Sequence, residues 1–442
     1  MHSYKILNPP SSIGKMLGFL GPGFILSASI VGSGELIATT LLGAEAGFIA
    51  FWVILVSCLI KVGIQLEFGK NAIISGNKIM TEFNAVNGPR IRNSNWSVWL
   101  TFILTTLKVL QVGGMVGGAA IAFSMLFPRL PISVSSIIIG LSISLFIYRN
   151  YFKLIERISV IMVFGFTLFT LTSLVFLFFT PYSFTLQEVL TGLTFQLPKE
   201  SLFVAIGAFG ITGVASDEII AYTYWCQEKG YAQYTGPNDG TEEWNLRAKG
   251  WIKVMYLDAF VAMCCYTLVT AAFYLLGAAV LNGIENTPEG NDLIGFLANI
   301  YTETLGPTFR IPFLIGAFIA LYSSVFATLA YWSRLFPDML NELRWWKIAD
   351  QKDQDIAVKV FAWLFPFLWV ITFLFLKLPG VMVLIGGVIG SVLLLVVVYV
   401  AIQFRTKNAS LDLDSGLLSK SIFWISVVSI VLISSYGIFK IV

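Results

Sequence analysis

VGSGELIATT at residues 31–40 and VASDEIIAYT at residues 214–223 are two similar stretches, and their likeness indicates an internal repeat. Aligned without gaps, they share Val, Ser, Glu, Ile, Ala and Thr, and each places a glutamate, Glu35 or Glu218, in an apolar run. Glycines, which readily interrupt helices, lie within or just before both stretches. A carboxylate at membrane depth is costly and usually functional. Two carboxylates in corresponding positions of two halves therefore predict a binding site between repeats.

The composition indicates a polytopic membrane protein. Of the 442 residues, 57% are hydrophobic and only 12% are charged, and the mean hydropathy is +0.82. A soluble domain has about a quarter charged residues. We therefore expect residues 1–442 to form a single all-α transmembrane domain in contact with the lipid bilayer.

Several other classes of protein are excluded by what the sequence lacks. The net charge of +3 comes without a basic, aromatic-rich tract, so we expect no nucleic-acid partner. The cysteines have no CxxC spacing, and the only histidine is His2, so neither a zinc site nor histidine catalysis is predicted. No nucleophile–base pair is visible, and we predict that the protein is not an enzyme and has no cofactor. A non-transporting receptor or an intramembrane enzyme is the least favoured interpretation.

Apolar runs of about 20 residues, long enough to cross a bilayer, occur about eleven times. They lie near residues 18–41, 47–67, 98–127, 131–148, 158–180, 200–226, 252–282, 310–333, 357–376, 379–403 and 421–441.

The basic residues predict the orientation of these spans. Most lysines and arginines fall on the side of the N-terminus, and the other side holds only Arg129, Lys199, Arg310, Lys377 and Lys440. By the positive-inside rule, the N-terminus is cytoplasmic and the C-terminus is extracellular or periplasmic. We expect a multi-pass protein of the cell membrane.

An odd number of spans in each half makes the two similar stretches antiparallel. The first and sixth spans then begin on opposite sides, as an inverted five-plus-five repeat requires. We predict repeat 1 at about 18–180, repeat 2 at about 200–404 and an additional helix at about 421–441, with the first and sixth spans broken mid-membrane.

Oxygen ligands at these breaks suit a hard divalent cation. Glu35 and Glu218 are the predicted metal ligands, and broken helices would add backbone carbonyls near Val31 and Gly210. Oxygen-only ligation favours Mg²⁺, Mn²⁺ or Ca²⁺, and Mg²⁺ needs only one or two carboxylates because it keeps several waters. Asp217 is a further candidate, and the sequence leaves open which of the two neighbouring acids faces the site.

Lys108 is the charged residue that complicates this interpretation. It lies within the third span, where it either provides an internal counter-charge or extends its ammonium toward the cytoplasm. One glutamate could form a structural ion pair with it instead of binding a metal. For Lys61, Lys253 and Asp258, which lie near predicted span ends, we expect solvated side chains.

Short motifs along the chain resemble the NRAMP (natural resistance-associated macrophage protein) superfamily of divalent metal transporters, which have the LeuT-type fold. GPGF opens the first span, GAEAG closes it, and QLEFG ends the second; these motifs occupy residues 21–24, 43–47 and 65–69. KLIE at 153–156 and LGP at 305–307 are similar to later parts of the family pattern. The resemblance covers most of the chain and implies alternating-access transport of a divalent cation.

Departures from the family pattern affect the expected mechanism. The family's aspartate and asparagine ligands fall on Gly32 and Glu35, and its Met-Pro-His motif falls on Val214–Ser216. Its third-helix acids fall on Val112 and Met115. Proton coupling is therefore doubtful, and uniport driven by the membrane potential is at least as well supported. Magnesium-transporting relatives also lack the methionine, which keeps a hard cation such as Mg²⁺ or Mn²⁺ favoured.

Sodium coupling defines the alternative function. In LeuT-type folds, hydroxyls in the eighth helix hold Na⁺ together with carbonyls of the first, and Ser323 and Ser324 are in the matching region. The alternative for these serines is ordinary hydrogen bonding between helices. A Na⁺-coupled or uncoupled transporter of a small organic cation or amino acid is thus the second hypothesis, with a monomer expected in either case.

Overall fold

The computed structural model describes residues 5–149, 152–284, 288, 290–411, 413 and 416–441. These residues are almost entirely helical. A short hairpin, β1 (Arg90–Ile91) with β2 (Ser94–Asn95), pairs antiparallel in the loop before the third span.

The first half of the chain begins with the short α1 and ends with the short α10. Its elements are α1 (Ile13–Leu17), α2 (Pro22–Ile30), a π-helix (Gly34–Thr39), α3 (Thr40–Ala46), a 3-10 helix (Gly47–Ala50), α4 (Phe51–Ser75), α5 (Ile79–Asn84), α6 (Trp96–Leu107), α7 (Val109–Leu126), α8 (Ile132–Tyr148), α9 (Phe152–Leu177) and α10 (Leu186–Thr191).

The second half repeats the pattern of a broken span followed by long helices. Its elements are α11 (Leu202–Ile211), α12 (Ser216–Lys229), α13 (Tyr231–Thr235), α14 (Glu242–Leu276), a π-helix (Gly277–Leu281), α15 (Leu293–Leu305), a 3-10 helix (Pro307–Phe309), α16 (Arg310–Glu342), α17 (Gln351–Leu376), α18 (Pro379–Lys407), a 3-10 helix (Ala409–Leu411) and α19 (Gly416–Ile441).

Each predicted span coincides with helix. Within the described residues, 8 helices are long and apolar enough to cross a membrane, and two shorter apolar helices, Ile132–Tyr148 and Val163–Leu177, match the predicted fourth and fifth spans. The helices also continue past the apolar runs, since α14 begins at Glu242 and α16 extends to Glu342. Polar turns continue these helices because backbone hydrogen bonding does not stop where the apolar sequence does.

The first span is broken where the sequence predicts. Helix α2 ends at Ile30, Val31 leaves helical geometry (φ −69°, ψ 73°), and the chain resumes as a π-helix at Gly34. A methyl group on Gly32 would overlap the hydroxyl of Ser324 on α16, so the break packs directly against the eighth span.

The sixth span is broken in the same way. Helix α11 ends at Ile211, Thr212 is extended (φ −75°, ψ 150°), and α12 begins at Ser216. Gly213 has φ +63°, a left-handed conformation that glycine adopts at little cost. Both predicted mid-membrane breaks are therefore confirmed.

A network of polar side chains joins the helices on the side where α2 begins. Asp338 of α16 accepts hydrogen bonds from Lys78 Nζ (2.6 Å) and Tyr224 Oη (2.7 Å). Glu82 of α5 pairs with Lys407 of α18 at 2.8 Å. These contacts join α5, α12, α16 and α18 at this end of the bundle.

Candidate cation site at the two helix breaks

A small cavity of about 20 Å³ lies between the two breaks. Its walls come from both broken spans and from the third and eighth spans. The lining residues are Ile30, Ser33, Gly34, Lys108, Gln111, Val112, Met115, Ile211, Ala215, Asp217, Glu218, Thr328 and Tyr331. A water molecule needs about 10–15 Å³ of such volume, so the cavity holds about one water-sized body.

Asp217 forms an ion pair at the edge of this cavity. Its Oδ1 accepts from Lys108 Nζ, and its Oδ2 accepts from the hydroxyl of Tyr331 on α16. The Lys108 side chain is 1% exposed, so its ammonium lies inside the protein beside Asp217 and does not reach toward solvent. The structural ion pair suggested for a glutamate is formed by Asp217. The acid that the sequence offered as a further ligand thus has both oxygens occupied.

Glu218 presents its carboxylate to the cavity from the start of α12. Its Oε2 accepts a hydrogen bond from the backbone N–H of Ala215 at 2.9 Å. The side chain is half-buried. The positive end of the α12 dipole favours an anion at this position. Glu218 therefore meets a backbone donor and the positive end of a helix at the edge of the cavity.

Glu35 is fully buried and does not line the cavity. Its Oε1 accepts from Thr270 Oγ1 (3.1 Å) on α14 and from the Gly213 N–H (3.4 Å). Its Oε2 has no hydrogen-bond partner in the part of the chain that the structure describes. Glu35 and Glu218, the two predicted metal ligands, therefore face different neighbours in this conformation.

The glycines predicted beside the site have packing roles. A methyl group on Gly210 would overlap the carbonyl oxygen of Gly387, so α11 and α18 touch backbone to backbone. Gly32 contacts Ser324 in a similar way, and Val31 is buried at the unwound position. The carbonyls of Phe209 and Thr212 at the sixth break accept hydrogen bonds from side chains of α4.

Lys61 binds those two carbonyls, and its predicted solvation is wrong. Its side chain is 0% exposed, and Nζ donates to the carbonyl oxygens of Phe209 and of Thr212 (2.8 Å). The prediction failed because α4 continues to Ser75, which moves Lys61 from the apparent end of a span to the middle of a helix.

The predicted solvation of Asp258 is also wrong. This side chain of α14 is 1% exposed and accepts from the N–H groups of Gly21 (2.8 Å) and Gly23 (2.5 Å) at the start of α2. The signal for this contact was the Gly-Pro-Gly sequence, whose amide groups at a helix start require acceptors. Lys253, by contrast, is exposed as predicted.

Ser323 and Ser324 are buried beside the first break. Both hydroxyls donate to the carbonyl of Ala320 within α16, at 2.9 and 3.0 Å. This is the intrahelical pattern common for serine. The sodium site stays a prediction.

The described residues contain no group of three or more His, Cys, Asp and Glu side chains arranged to hold a metal ion. A cation at the breaks would therefore rely on one or two carboxylates supplemented by backbone and water oxygens. A larger cavity of about 630 Å³ lies between α7, α8, α15 and α16 and contains none of the predicted site residues.

Two discontinuous spans that carry acids and meet at a small cavity are typical of inverted-repeat transporter folds. Residues 23–440 match the family described as Natural resistance-associated macrophage protein-like, and the chain belongs to this family. The resemblance seen in the sequence motifs is thus confirmed.

Relatives and solved structures agree with this assignment. The chain is 24% identical over 297 residues to the divalent metal cation transporter MntH of Caldanaerobacter subterraneus subsp. tengcongensis, and the match covers 65% of each chain. It thus spans slightly less than two thirds of that relative. The manganese transporter of Eremococcus coleocola superposes with a TM-score of 0.71 at 16% identity, covering 98% of this chain and 88% of that one.

A more distant structure supports the same fold. A nucleobase-cation-symport-1 family transporter in a closed conformation gives a TM-score of 0.58 at 12% identity, covering 98% of this chain and 94% of that chain. The predicted all-α, LeuT-type inverted-repeat fold is confirmed.

Proposed function

We propose that this protein moves a divalent metal cation across the cell membrane by alternating access, with Glu218 as its first ligand. The observation that carries the proposal is the small cavity between the two breaks (the break cavity), which has room for one ion and is lined in part by Glu218. Membership of the family and the similarity to a transporter named for divalent metal cations support it.

The size of the cavity favours an ion over an organic substrate. Pockets for small organic molecules measure about 300–1,000 Å³, whereas the break cavity measures about 20 Å³. An amino acid or an organic amine would require much larger movements of both broken spans. Transport of such a molecule remains the second hypothesis.

Glu35 is the proposed second ligand. Its Oε2 has no hydrogen-bond partner within the described residues, so a turn toward the cavity would break only the contacts of Oε1 with Thr270 and Gly213. Two carboxylates with additional waters satisfy Mg²⁺ or Mn²⁺. Cation binding would thereby bring the two breaks together.

Met115 bears on the choice of metal. It lines the cavity from α7 at one of the positions where the family has acids. Carboxylate, carbonyl and water oxygens suit Mg²⁺ and Mn²⁺ alike, whereas a thioether adds affinity only for softer ions. We therefore propose Mn²⁺ as the preferred cargo and Mg²⁺ as the alternative. Because Val112 and Met115 replace those acids, we propose potential-driven uniport rather than proton coupling.

The polar network around Asp338 is the proposed closed gate of this conformation. We propose that it lies on the cytoplasmic side, because the distribution of lysine and arginine favours an N-terminus inside and a C-terminus outside. Opening toward that side requires Asp338 to release Lys78 and Tyr224. The cavity would then gain access to the cytoplasm.

Unfolding temperature and uptake test this function together. Mn²⁺, Mg²⁺, Ca²⁺ and Na⁺ are added to purified wild type, Glu218→Gln, Glu35→Gln and the exposed control Glu200→Gln. An ion that binds only the folded state must raise the unfolding temperature of the protein. We expect a divalent-specific rise and potential-driven ⁵⁴Mn²⁺ uptake by proteoliposomes for wild type and the control, both lost in Glu218→Gln. Absence of any divalent effect on wild type at millimolar concentration would contradict the proposal.

A further inference from the structure

The end of half-helix α11 is held by two side chains of α4. Ser57 Oγ lies 3.0 Å from the carbonyl oxygens of both Phe209 and Thr212, and Lys61 Nζ donates to the same two oxygens. Ser57 and Lys61 are four residues apart, so they lie one above the other on the same face of α4. Thr212 Oγ1 completes the cluster with a 3.0 Å hydrogen bond to Ser57.

The surroundings of Lys61 match those of a bound monovalent cation. Besides the two carbonyls, the ring of Phe209 lies 4.9 Å from Nζ, so three acceptors are available for the three N–H groups of an ammonium. Lys61 is completely buried, and the groups that its ammonium contacts are two carbonyl oxygens and an aromatic ring. Carbonyl dipoles at the C-terminal end of α11, the negative end of the helix, stabilise its charge.

We propose that Lys61 is a tethered cation that permanently fills a monovalent-cation cradle formed by the carbonyl oxygens of Phe209 and Thr212 and the ring of Phe209. Neutral carbonyl oxygens suit Na⁺, K⁺ or a small alkylammonium, and carbonyls replace the hydration shell of K⁺ in channel filters. Mg²⁺ would require carboxylates that the cradle lacks. Because the ammonium is covalently attached, the sixth break keeps its shape without any alkali cation in the medium. This role is independent of which cargo is transported.

Lys61 is a positioning residue under this proposal. It joins α4 to the end of α11. The next residue, Thr212, begins the extended segment that leads to Asp217 and Glu218. Loss of the ammonium would leave two buried carbonyls short of donors and would free the end of α11. An added cation of suitable size should repair that loss, whereas it would not repair a general packing defect.

Chemical rescue of Lys61→Ala tests the proposal. The unfolding temperature is measured in EDTA, so that divalent cargo plays no part, with the medium cation supplied as N-methylglucamine, Na⁺, K⁺ or n-butylammonium at equal ionic strength. We expect Lys61→Ala to unfold several degrees below wild type in N-methylglucamine and to recover at least half of that shift in K⁺ or butylammonium. The control Lys253→Ala, at an exposed lysine of α14, should match wild type in all media.

Two further measurements keep the proposal falsifiable if Lys61→Ala does not fold. Lys61→Met fills the space of the lysine stem, so it should be destabilised without rescue by butylammonium. Wild type itself should unfold at the same temperature in all four media. A folded Lys61→Ala that no cation rescues, or a wild type stabilised specifically by Na⁺ or K⁺, would overturn the proposal.

Discussion

The first and sixth spans are both broken at similar sequences, but their polar groups are satisfied differently. At the sixth break, Lys108 pairs with Asp217, and Lys61 binds the carbonyls at the end of α11. At the first break, Glu35 has only the neutral donors Thr270 and Gly213, and one of its oxygens has no partner in the described structure. We infer that internal cations hold the sixth break in place, whereas among the described residues only neutral donors contact Glu35 at the first break.

The first half-helices of these two spans show a second contrast in charge. Asp258 accepts hydrogen bonds at the N-terminus of half-helix α2, and Lys61 donates them at the C-terminus of half-helix α11. Each side chain matches the sign of the helix dipole that it meets. The acid therefore fixes the entry of the first span and leaves its break free, while the base fixes the break of the sixth.

The largest effect on stability should come from separating Lys108 and Asp217. Lys108→Met leaves a buried aspartate without a counter-charge, and Asp217→Asn leaves a buried ammonium, so each should lose about 3–5 kcal/mol of unfolding free energy. The double variant should lose less than the sum of the single losses, because no isolated charge remains. Chemical unfolding in detergent measures all three, with Lys253→Met as the exposed control. Additive losses would show that the two residues do not form a stabilising pair.

Asp258→Asn should have the next largest effect. The amide keeps one acceptor oxygen for the two N–H groups of Gly21 and Gly23, and we expect a loss of about 1–3 kcal/mol. Amide hydrogen exchange should rise at the start of α2 and stay unchanged at α11. Asp292→Asn, at an exposed position before α15, serves as the control. Equal exchange at both half-helices would contradict a local role.

Glu35→Gln should affect Mn²⁺ binding while leaving the stability of the protein nearly unchanged. Glutamine retains an acceptor for Thr270 and removes a buried carboxylate that has no cation beside it in the described structure. We expect its unfolding free energy to stay within about 1 kcal/mol of wild type. The reason is that the glutamine oxygen still accepts the hydrogen bond that the Thr270 hydroxyl donates to the carboxylate. Under the proposed function, its stabilisation by Mn²⁺ should disappear. A loss as large as that of Asp217→Asn would remove the difference between the two breaks.

Met115→Leu should have the smallest effect on folding, since it conserves side-chain volume and typically costs less than about 1.5 kcal/mol. If its thioether contributes to metal choice, the ratio of Mn²⁺ to Mg²⁺ affinity should fall in competition binding, while binding of Mg²⁺ alone stays constant. Val112→Ile, at the neighbouring lining position, is the matched control. An unchanged ratio would remove Met115 from the proposed ligand set.

The sequence predicted the spans and both breaks because hydropathy and the internal repeat are local signals. It also selected Glu35 and Glu218 as equivalent positions. It did not predict that Asp217 takes Lys108, since an ion pair between the third and sixth spans depends on how the helices rotate toward each other. Lys61 and Asp258 were misplaced for a related reason: the helices continue beyond the apolar runs, so residues near a hydropathy boundary lie deep in the bundle.

The contact between α11 and α18 has a consequence for motion. Gly207 and Gly210 on one helix approach Gly387 on the other backbone to backbone. Because the backbones are in direct contact, we expect one helix to shift along the other with little rearrangement of side-chain rotamers. A methyl group on Gly210 would collide with the carbonyl of Gly387 and hinder this movement. The effect would be on the speed of conformational exchange, and it would arise even where no ion is bound.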